Sequence, residues 1–363
     1  MKLLIITQKV NQEDSVLGFF HSWIREFASR FEEVTVICLE KGVYNLPENV
    51  EVFSLGKEEY KIQDTRYKIQ KRFFFILNFY RLIWKMRKDY DIVFVHMNPE
   101  YVVLGGLLWR VLGKRIGLWY VHRQANLKLK IAEKLAHVIF STTPEAFRFK
   151  SNKIHFLGHG IDFSLFPPKQ TTNLSTSDVD RLKIVHVGRI TPIKNLDILI
   201  EAGAILNETL NGKFRIMLAG APSTTSDVAY EKRLKELVGK YNLQDKVLFM
   251  GEVSFGRIGK LYKDADISVN LTPTGGMDKV VLESIASGTL PLSANRAFQN
   301  LFGEDAGYLL YNERDPEDVA RKIKVINEIG VTQRMEIEAR LHGKVKERFS
   351  LQKLIEQITL LLK

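Results

Sequence analysis

The chain has 363 residues, 45% hydrophobic and 26% charged, with a formal net charge of +11. That length exceeds what one core usually serves, so two domains of roughly 150 to 200 residues are expected. The composition excludes a disordered or low-complexity chain, and the single cysteine, Cys38, excludes an internal disulfide and a cysteine cluster for zinc.

The opening MKLLIITQKV stops being apolar at Thr7 and Gln8, too soon for a signal-peptide core or a membrane span. It reads as a first strand, and a reducing cytoplasm is the expected location. Further strands are predicted at 34–39, 50–55, 91–96, 115–121 and 137–142, with helical spacing in 16–30 and 101–112. Short β-branched runs alternating with helical segments describe a doubly wound α/β domain with a parallel sheet.

The polar stretch FPPKQTTNLSTSDVDR interrupts that pattern, which restarts at LKIVHVGRI. Strands follow at 214–219, 246–250, 266–270 and 289–294, and helices near 195–208, 227–240, 256–263 and 279–287. The expected organisation is an N-terminal domain over 1–165, a linker over 166–180, and a second α/β domain over 181–349. A last helical segment in 350–363 is a candidate to cross back to the first domain. Two such units facing across a cleft make the cleft the default site, because ligands of parallel sheets bind at the carboxyl ends of the strands. No G-x-G-x-x-G follows the first strand and no G-x-x-x-x-G-K-[ST] occurs, which argues against a dinucleotide oxidoreductase and a P-loop ATPase.

In VHVGRITPIKN, Gly188 lets the backbone turn at a strand end, and Arg189 and Lys194 follow within six residues. Such a pair can neutralise a diphosphate, Arg as a planar fork and Lys as a point charge; two surface cations beside a helix start remain the alternative. In TPTGGMDKVVLESIASG, Gly275 and Gly276 give a loop that a ligand can approach, Asp278 is an N-cap candidate, and the helix after it offers its first N–H groups to a phosphate. Glu283 lies among Val281, Leu282, Ile285 and Ala286, so it is expected to be buried and in need of donors. The paired hydroxyls of a ribose or a neighbouring backbone N–H or Lys would serve.

Together GRITPIKN, AGAP at 219–222 and KVVLESIASGTLPL resemble the retaining glycosyltransferase family 4 of the GT-B fold, whose motifs read G-R-x(4 to 5)-K-[GN], a glycine-containing loop, and E-x(7)-E-[AS]-x-A-x-G-x-P. In the first half GHGIDFSLF resembles the family's segment before the interdomain linker. The resemblance implies Arg189 and Lys194 as diphosphate-binding catalytic cations, Glu283 as the ribose-binding glutamate, and Val280 and Val281 as helix-start amides on the phosphates. Gly188 and Gly220 are carried with the donor site. Gly18 resembles a glycine of the loop near the acceptor, and His122 resembles the histidine that faces the transferred sugar. His21, beside Phe20 and Trp23, is assigned to acceptor contact or to the core.

One position departs: the first glutamate of E-x(7)-E falls on Gly275, which puts sugar identity and activity in doubt. Asp278 is three residues later and could reach the sugar instead, with N-capping as the other role. The implied activity moves a sugar from a nucleotide-diphosphate sugar, with UDP favoured, to a hydroxyl of a glycan or lipid-linked acceptor, without cofactor or metal. The rivals are a silent nucleotide-sugar-binding protein and a sugar-nucleotide epimerase or phosphorylase.

Two D-x-D triplets, Asp178-Val-Asp180 and Asp264-Ala-Asp266, sit in a polar linker and a helix-to-strand turn and are not read as metal sites. Residues 61–88 hold nine Lys/Arg and one acid around FFFILNFYRLIW, and residues 1–165 hold 25 Lys/Arg against 17 Asp/Glu where the remainder holds 28 against 25. A helix there would set Ile69, Phe73, Ile76, Tyr80 and Ile83 on the sheet and turn Phe74, Phe75, Phe79, Leu82 and Met86 outward, toward an anionic membrane surface or within a buried helix with a basic rim. Nucleic acid is not expected, since no binding motif accompanies the charge.

Overall fold

Leu3, Leu4, Ile5 and Ile6 are all fully buried, a pattern for a strand covered on both faces. They belong to β1 (Lys2–Val10), which sends Leu3 and Ile5 into one apolar cluster and Leu4 and Ile6 into another, as strand alternation requires. The computed structural model describes residues 1–59, 68–122, 126–147, 150–169 and 181–363. Its contacts divide the chain into two units, Met1–Gly160 with Leu351–Lys363, and Ile161–Ser350.

In the first unit β1 is followed by α1 (Phe19–Ala28), β2 (Glu33–Lys41), β3 (Val50–Ser54), α2 (Lys68–Lys85), β4 (Ile92–His96), α3 (Pro99–Val111), β5 (Arg115–Trp119), α4 (Leu127–Leu135), β6 (Val138–Ser141) and β7 (Ile154–Phe156). The strands form a parallel sheet in the order β3-β2-β1-β4-β5-β6-β7. Strand β7 is an addition to the sequence reading, a short edge with no buried residue. Phe20, Trp23, Ile24 and Phe27 of α1 cover one sheet face, while α2, α3 and α4 supply buried residues to the other.

Helix α2 is turned differently from the expectation. Ile83 is buried and Phe74 exposed as expected, but Phe79, Leu82 and Met86 are buried too, whereas Phe73 and Tyr80 are exposed with Leu77 and Trp84. Aromatic residues are spread over both faces of the run, at Phe73, Phe74, Phe75, Phe79, Tyr80 and Trp84, so the large rings alone do not choose the face. The choice is made by α3, where Phe79 meets Tyr101 at 5.4 Å and Trp109 at 6.0 Å between ring centres. Residues 61–67 and the side chain of Ile69 lie outside the described residues.

The second unit carries β8 (Leu182–Val187), α5 (Leu196–Thr209), β9 (Phe214–Ala219), α6 (Thr225–Lys240), β10 (Val247–Gly251), α7 (Phe255–Asp264), β11 (Ile267–Asn270), α8 (Lys279–Ala286) and β12 (Leu290–Ser293), with a parallel sheet ordered β10-β9-β8-β11-β12. Short helices α9 (Gln299–Phe302) and α10 (Ala306–Leu309) lead to α11 (Pro316–Glu328) and α12 (Val331–Phe349). The boundary falls at Gly160, earlier than the expected 165, because Ile161 bridges Ser350 and the Phe166 ring lies 5.7 Å from Phe255 and 6.5 Å from Tyr262. Of the expected linker, residues 170–180 lie outside the described residues, and Asp178 and Asp180 with them.

Helix α13 (Leu351–Leu362) packs with the first unit, where Leu354, Ile355, Ile358 and Leu362 join the cluster of α1. A Cβ on Gly117 of β5 would meet Leu362 at 2.5 Å, so the bare glycine admits the helix. Because Ile358 is fully buried, Ile358→Ala is expected to cost about 2 to 5 kcal/mol. A urea transition of the first unit, followed by near-ultraviolet dichroism, would move to lower denaturant; an unmoved midpoint would contradict the packing.

Candidate functional site

The ends of β8 and β9 come together without side chains. A Cβ on Gly220 would lie 1.9 Å from the Gly188 carbonyl oxygen, and φ is +148° at Gly188 and +151° at Gly220, a conformation that glycine alone adopts cheaply. The Gly188 N–H donates to Ala219 O at 3.0 Å and the Gly220 N–H to Gly251 O at 2.9 Å. Three strand ends are thus locked at the carboxyl edge of the sheet, and the loop after β8 leaves from there.

That loop carries both expected cations. The exposed Arg189 donates to Ser223 Oγ at 3.3 Å. Ser223 in turn donates to Asp227 Oδ2 at 3.1 Å, at the start of α6, where Thr224 and Asp227 form a reciprocal cap. The Thr191, Thr224 and Ser223 donors hold the Asp227 carboxyl down to about 2. Lys194 Nζ donates to Thr272 Oγ1 at 2.8 Å, beyond β11, and lies 3.5 Å from Asp278 Oδ1. Asn195, with φ +45°, donates from its amide to Leu271 O at 3.1 Å and fastens the same loop to β11.

Beneath Lys194 lies His186 of β8, fully desolvated, with Nδ1 3.0 Å from Val269 O. Burial and then the charge of Lys194 push its pKa down to about 4, so the ring is neutral at pH 7.

Asp278 occupies the N-cap position of α8, but its side chain caps nothing. The expectation of a capping role fails because the carboxylate turns to Lys194 and to Asn295 Nδ2, at 3.3 Å. Asn295, fully buried after β12, also accepts the Gly275 N–H at 3.4 Å and donates to Gly276 O at 2.9 Å, so one amide shapes the two-glycine loop. Of the two helix-start amides, that of Val281 donates to Asp278 O at 3.2 Å. Glu283 is 4% exposed and meets Lys279 Nζ at 3.1 Å, one turn back. Burial pushes its carboxyl above the usual range, partly offset by Lys279.

Gly188, Arg189, Lys194, Gly220, Gly275, Gly276, Asp278, Val280, Val281 and Glu283 therefore all belong to the second unit, around the carboxyl edge of its sheet and the first turns of α8. Gly18, His21 and His122 belong to the first unit. Gly18 precedes α1 with an ordinary helical φ of −56°. The buried His21 accepts the Asn45 N–H on Nε2 at 3.1 Å, and burial lowers its pKa. His122 follows β5, exposed, with its ring 6.2 Å from Tyr120. Thr272, Ser223, Asp227, Asn295 and His186 were not singled out from the sequence; Asn295 and Thr272 each follow a predicted strand end closely, which is the signal that could have found them.

Among the described residues no group of three or more His, Cys, Asp and Glu is placed to hold a metal ion. Asp266 of the second D-x-D accepts the Lys183 N–H at 2.8 Å, and Asp264 pairs with Lys260 at 3.3 Å.

A pair of parallel-sheet units with this edge defines the GT-B class of fold, and solved structures of that class superpose on the whole chain. Sucrose-phosphate synthase from Thermosynechococcus elongatus does so with a TM-score of 0.77 at 16% identity, over 99% of this chain and 98% of that one. HepE from Anabaena, in complex with UDP and glucose, does so with 0.74 at 17%, again over 99% and 98%. The sequence model for glycosyl transferases group 1 matches residues 171–357, more than half of the chain, and the chain belongs to that family. Its sequence is also 27% identical to the D-inositol 3-phosphate glycosyltransferase of Geodermatophilus obscurus over 175 residues, 46% of this chain but only 38% of that relative's length.

Folding buries a neutral His186 that the unfolded chain protonates below about 6.5, so between pH 6.5 and 4 the unfolded state binds the extra proton. The stability present above that window is lost as pH falls through it. Denaturant titrations at steps across pH 4.5 to 7 should show His186→Gln with a shallower slope than the wild type; equal slopes would remove the buried neutral imidazole.

Proposed function

We propose that this chain is a retaining glycosyltransferase of family 4. It takes a sugar from a nucleotide-diphosphate donor, UDP-linked in the first instance, to a hydroxyl of a glycan or lipid-linked acceptor, without metal or cofactor. The observation that carries the reading is the grouping of Arg189, Lys194 and the start of α8 at one sheet edge, with the buried Glu283 behind them. The bound UDP of the Anabaena neighbour and the name of the Geodermatophilus relative support it.

As the glycosidic bond breaks, negative charge grows on the leaving diphosphate and positive charge on the sugar ring. Preorganised cations and helix N–H groups favour that state over the ground state. Arg189 and Lys194 take the diphosphate charge, and Glu283 accepts from the ribose hydroxyls, exchanging its Lys279 partner for them in part. In the retaining reading the acceptor attacks from the leaving-group side and its proton passes to a phosphate oxygen, which asks for no dedicated protein base. Acceptor binding is assigned to the first unit, with Gly18, His21 and His122 as its contacts.

Gly275 favours one second reading, a nucleotide-sugar-binding protein without turnover, because no carboxylate stands where the family holds the sugar. Asp278 is the nearest replacement, and Lys194 already engages it.

Arg189→Ala is expected to lower sugar release from UDP-glucose on the order of a hundredfold or more, as loss of one oxyanion donor does. Calorimetric titration with UDP, run beside the assay, separates the readings: binding without turnover over a broad acceptor panel supports the silent protein, and unchanged turnover in the variant removes Arg189 from the mechanism.

The proposed location is cytoplasmic and peripheral at the inner face of a membrane. Among the described residues no helix is long and apolar enough to cross a membrane. The exposed Phe73, Leu77, Tyr80 and Trp84 of α2 stand among Arg72, Arg81 and Lys85, a combination suited to anionic headgroups. Co-sedimentation with phosphatidylserine vesicles at low salt should be strong and should weaken with salt and in Trp84→Glu; absence of binding at low salt would end this part of the proposal.

A further inference from the structure

Between α2 and α3 of the first unit lies an open slot of about 420 Å³, lined by residues of that unit alone. Phe75, Ile76 and Phe79 line it from α2, and Tyr101, Val103 and Leu104 from α3, so its walls are hydrocarbon and aromatic. One end opens at the carboxyl edge of the sheet, where Gln8 of β1 and Asn98 beyond β4 are polar. Arg72 and Lys128 stand at the rim with one acid, Glu100, which Lys128 holds at 2.8 Å.

Its size falls within the range of small-molecule sites, and its walls are mostly apolar with a few polar groups, as such sites are. Tyr80 fixes the two helices side by side by donating to Leu104 O at 2.8 Å, so the slot lies alongside the outward aromatic face of α2. The occupant must be apolar along its length, narrow enough to lie between two helices, and anionic at the end that meets Arg72 and Lys128.

We propose that this slot binds the acyl or prenyl chain of an amphiphilic acceptor, with a phosphate-bearing head at the Arg72 and Lys128 rim and the hydroxyl end toward the carboxyl edge of the sheet. The inference rests on the lipid-linked acceptor reading above and adds the site and the ligand class. The polar residues at one end and the cations at the rim give the chain a direction, which a merely greasy surface would not have.

Calorimetric titration of the full chain with hexyl, octyl and decyl phosphate, each below its critical micelle concentration, tests it, with inorganic phosphate as the head alone and decyl glucoside as an uncharged amphiphile. Saturable binding is expected to tighten roughly fourfold per methylene, the factor that follows from about 0.8 kcal/mol per buried CH₂. Ile76→Trp and Val103→Trp fill the slot from opposite helices and should each weaken decyl phosphate at least tenfold. Arg72→Gln should weaken decyl phosphate and spare decyl glucoside. UDP affinity, read in the same samples, should stay unchanged in all three, which keeps the donor reading separate, and an unmoved urea midpoint of the first unit certifies that the slot's own unit is folded. Affinity independent of chain length, or wild-type affinity for decyl phosphate in both tryptophan variants with the first unit folded, would overturn the proposal.

Discussion

The ammonium of Lys194 is the tie on which the candidate site depends. It joins the loop after β8 to Thr272 beyond β11 and to Asp278 at the mouth of α8, so three chain segments share one charge. Beneath it the imidazole of His186 is kept neutral, which avoids two like charges in a desolvated place. The cation is therefore held in position by neighbours of its own chain. In the proposed reading a diphosphate would have to draw Lys194 away from, or share it with, the carboxylate of Asp278.

The meeting of Gly188 and Gly220 makes that tie possible. With the Cβ position of one only 1.9 Å from the carbonyl oxygen of the other, a side chain at Gly220 would push β8 and β9 apart and carry Arg189 and Lys194 with them. Glycine is required here by backbone contact, before any ligand is considered. Sequence spacing suggested a turn at Gly188 but could not show that the two glycines face each other.

Strands and helices of both sheets were legible because buried parallel strands are continuous apolar runs, and the polar breaks between them mark the loops. The placement of Arg189 and Lys194 after a strand end and the burial of Glu283 in α8 were legible for a related reason: charge at a strand end, or sunk in an apolar helix, stands out against its neighbours. What stayed hidden depended on partners far along the chain. Asp278 looked like a cap until Lys194 and Asn295 were beside it. Helix α2 was oriented only in part because its large rings lie on both faces, and α3 takes Phe79. Helix α12 escaped notice since only Ile337, Leu341 and Val345 are buried in a charged segment of 19 residues.

The division of the chain places one whole unit, Ile161–Ser350, between two pieces of the other. The piece that arrives last, α13, carries the leucines and isoleucines that complete the α1 side of the first sheet. During synthesis the inserted unit has all its residues before its host does. The α1 face of the host stays uncovered over that interval, an apolar surface that other nascent chains or a chaperone would meet, until α13 closes it like a cork.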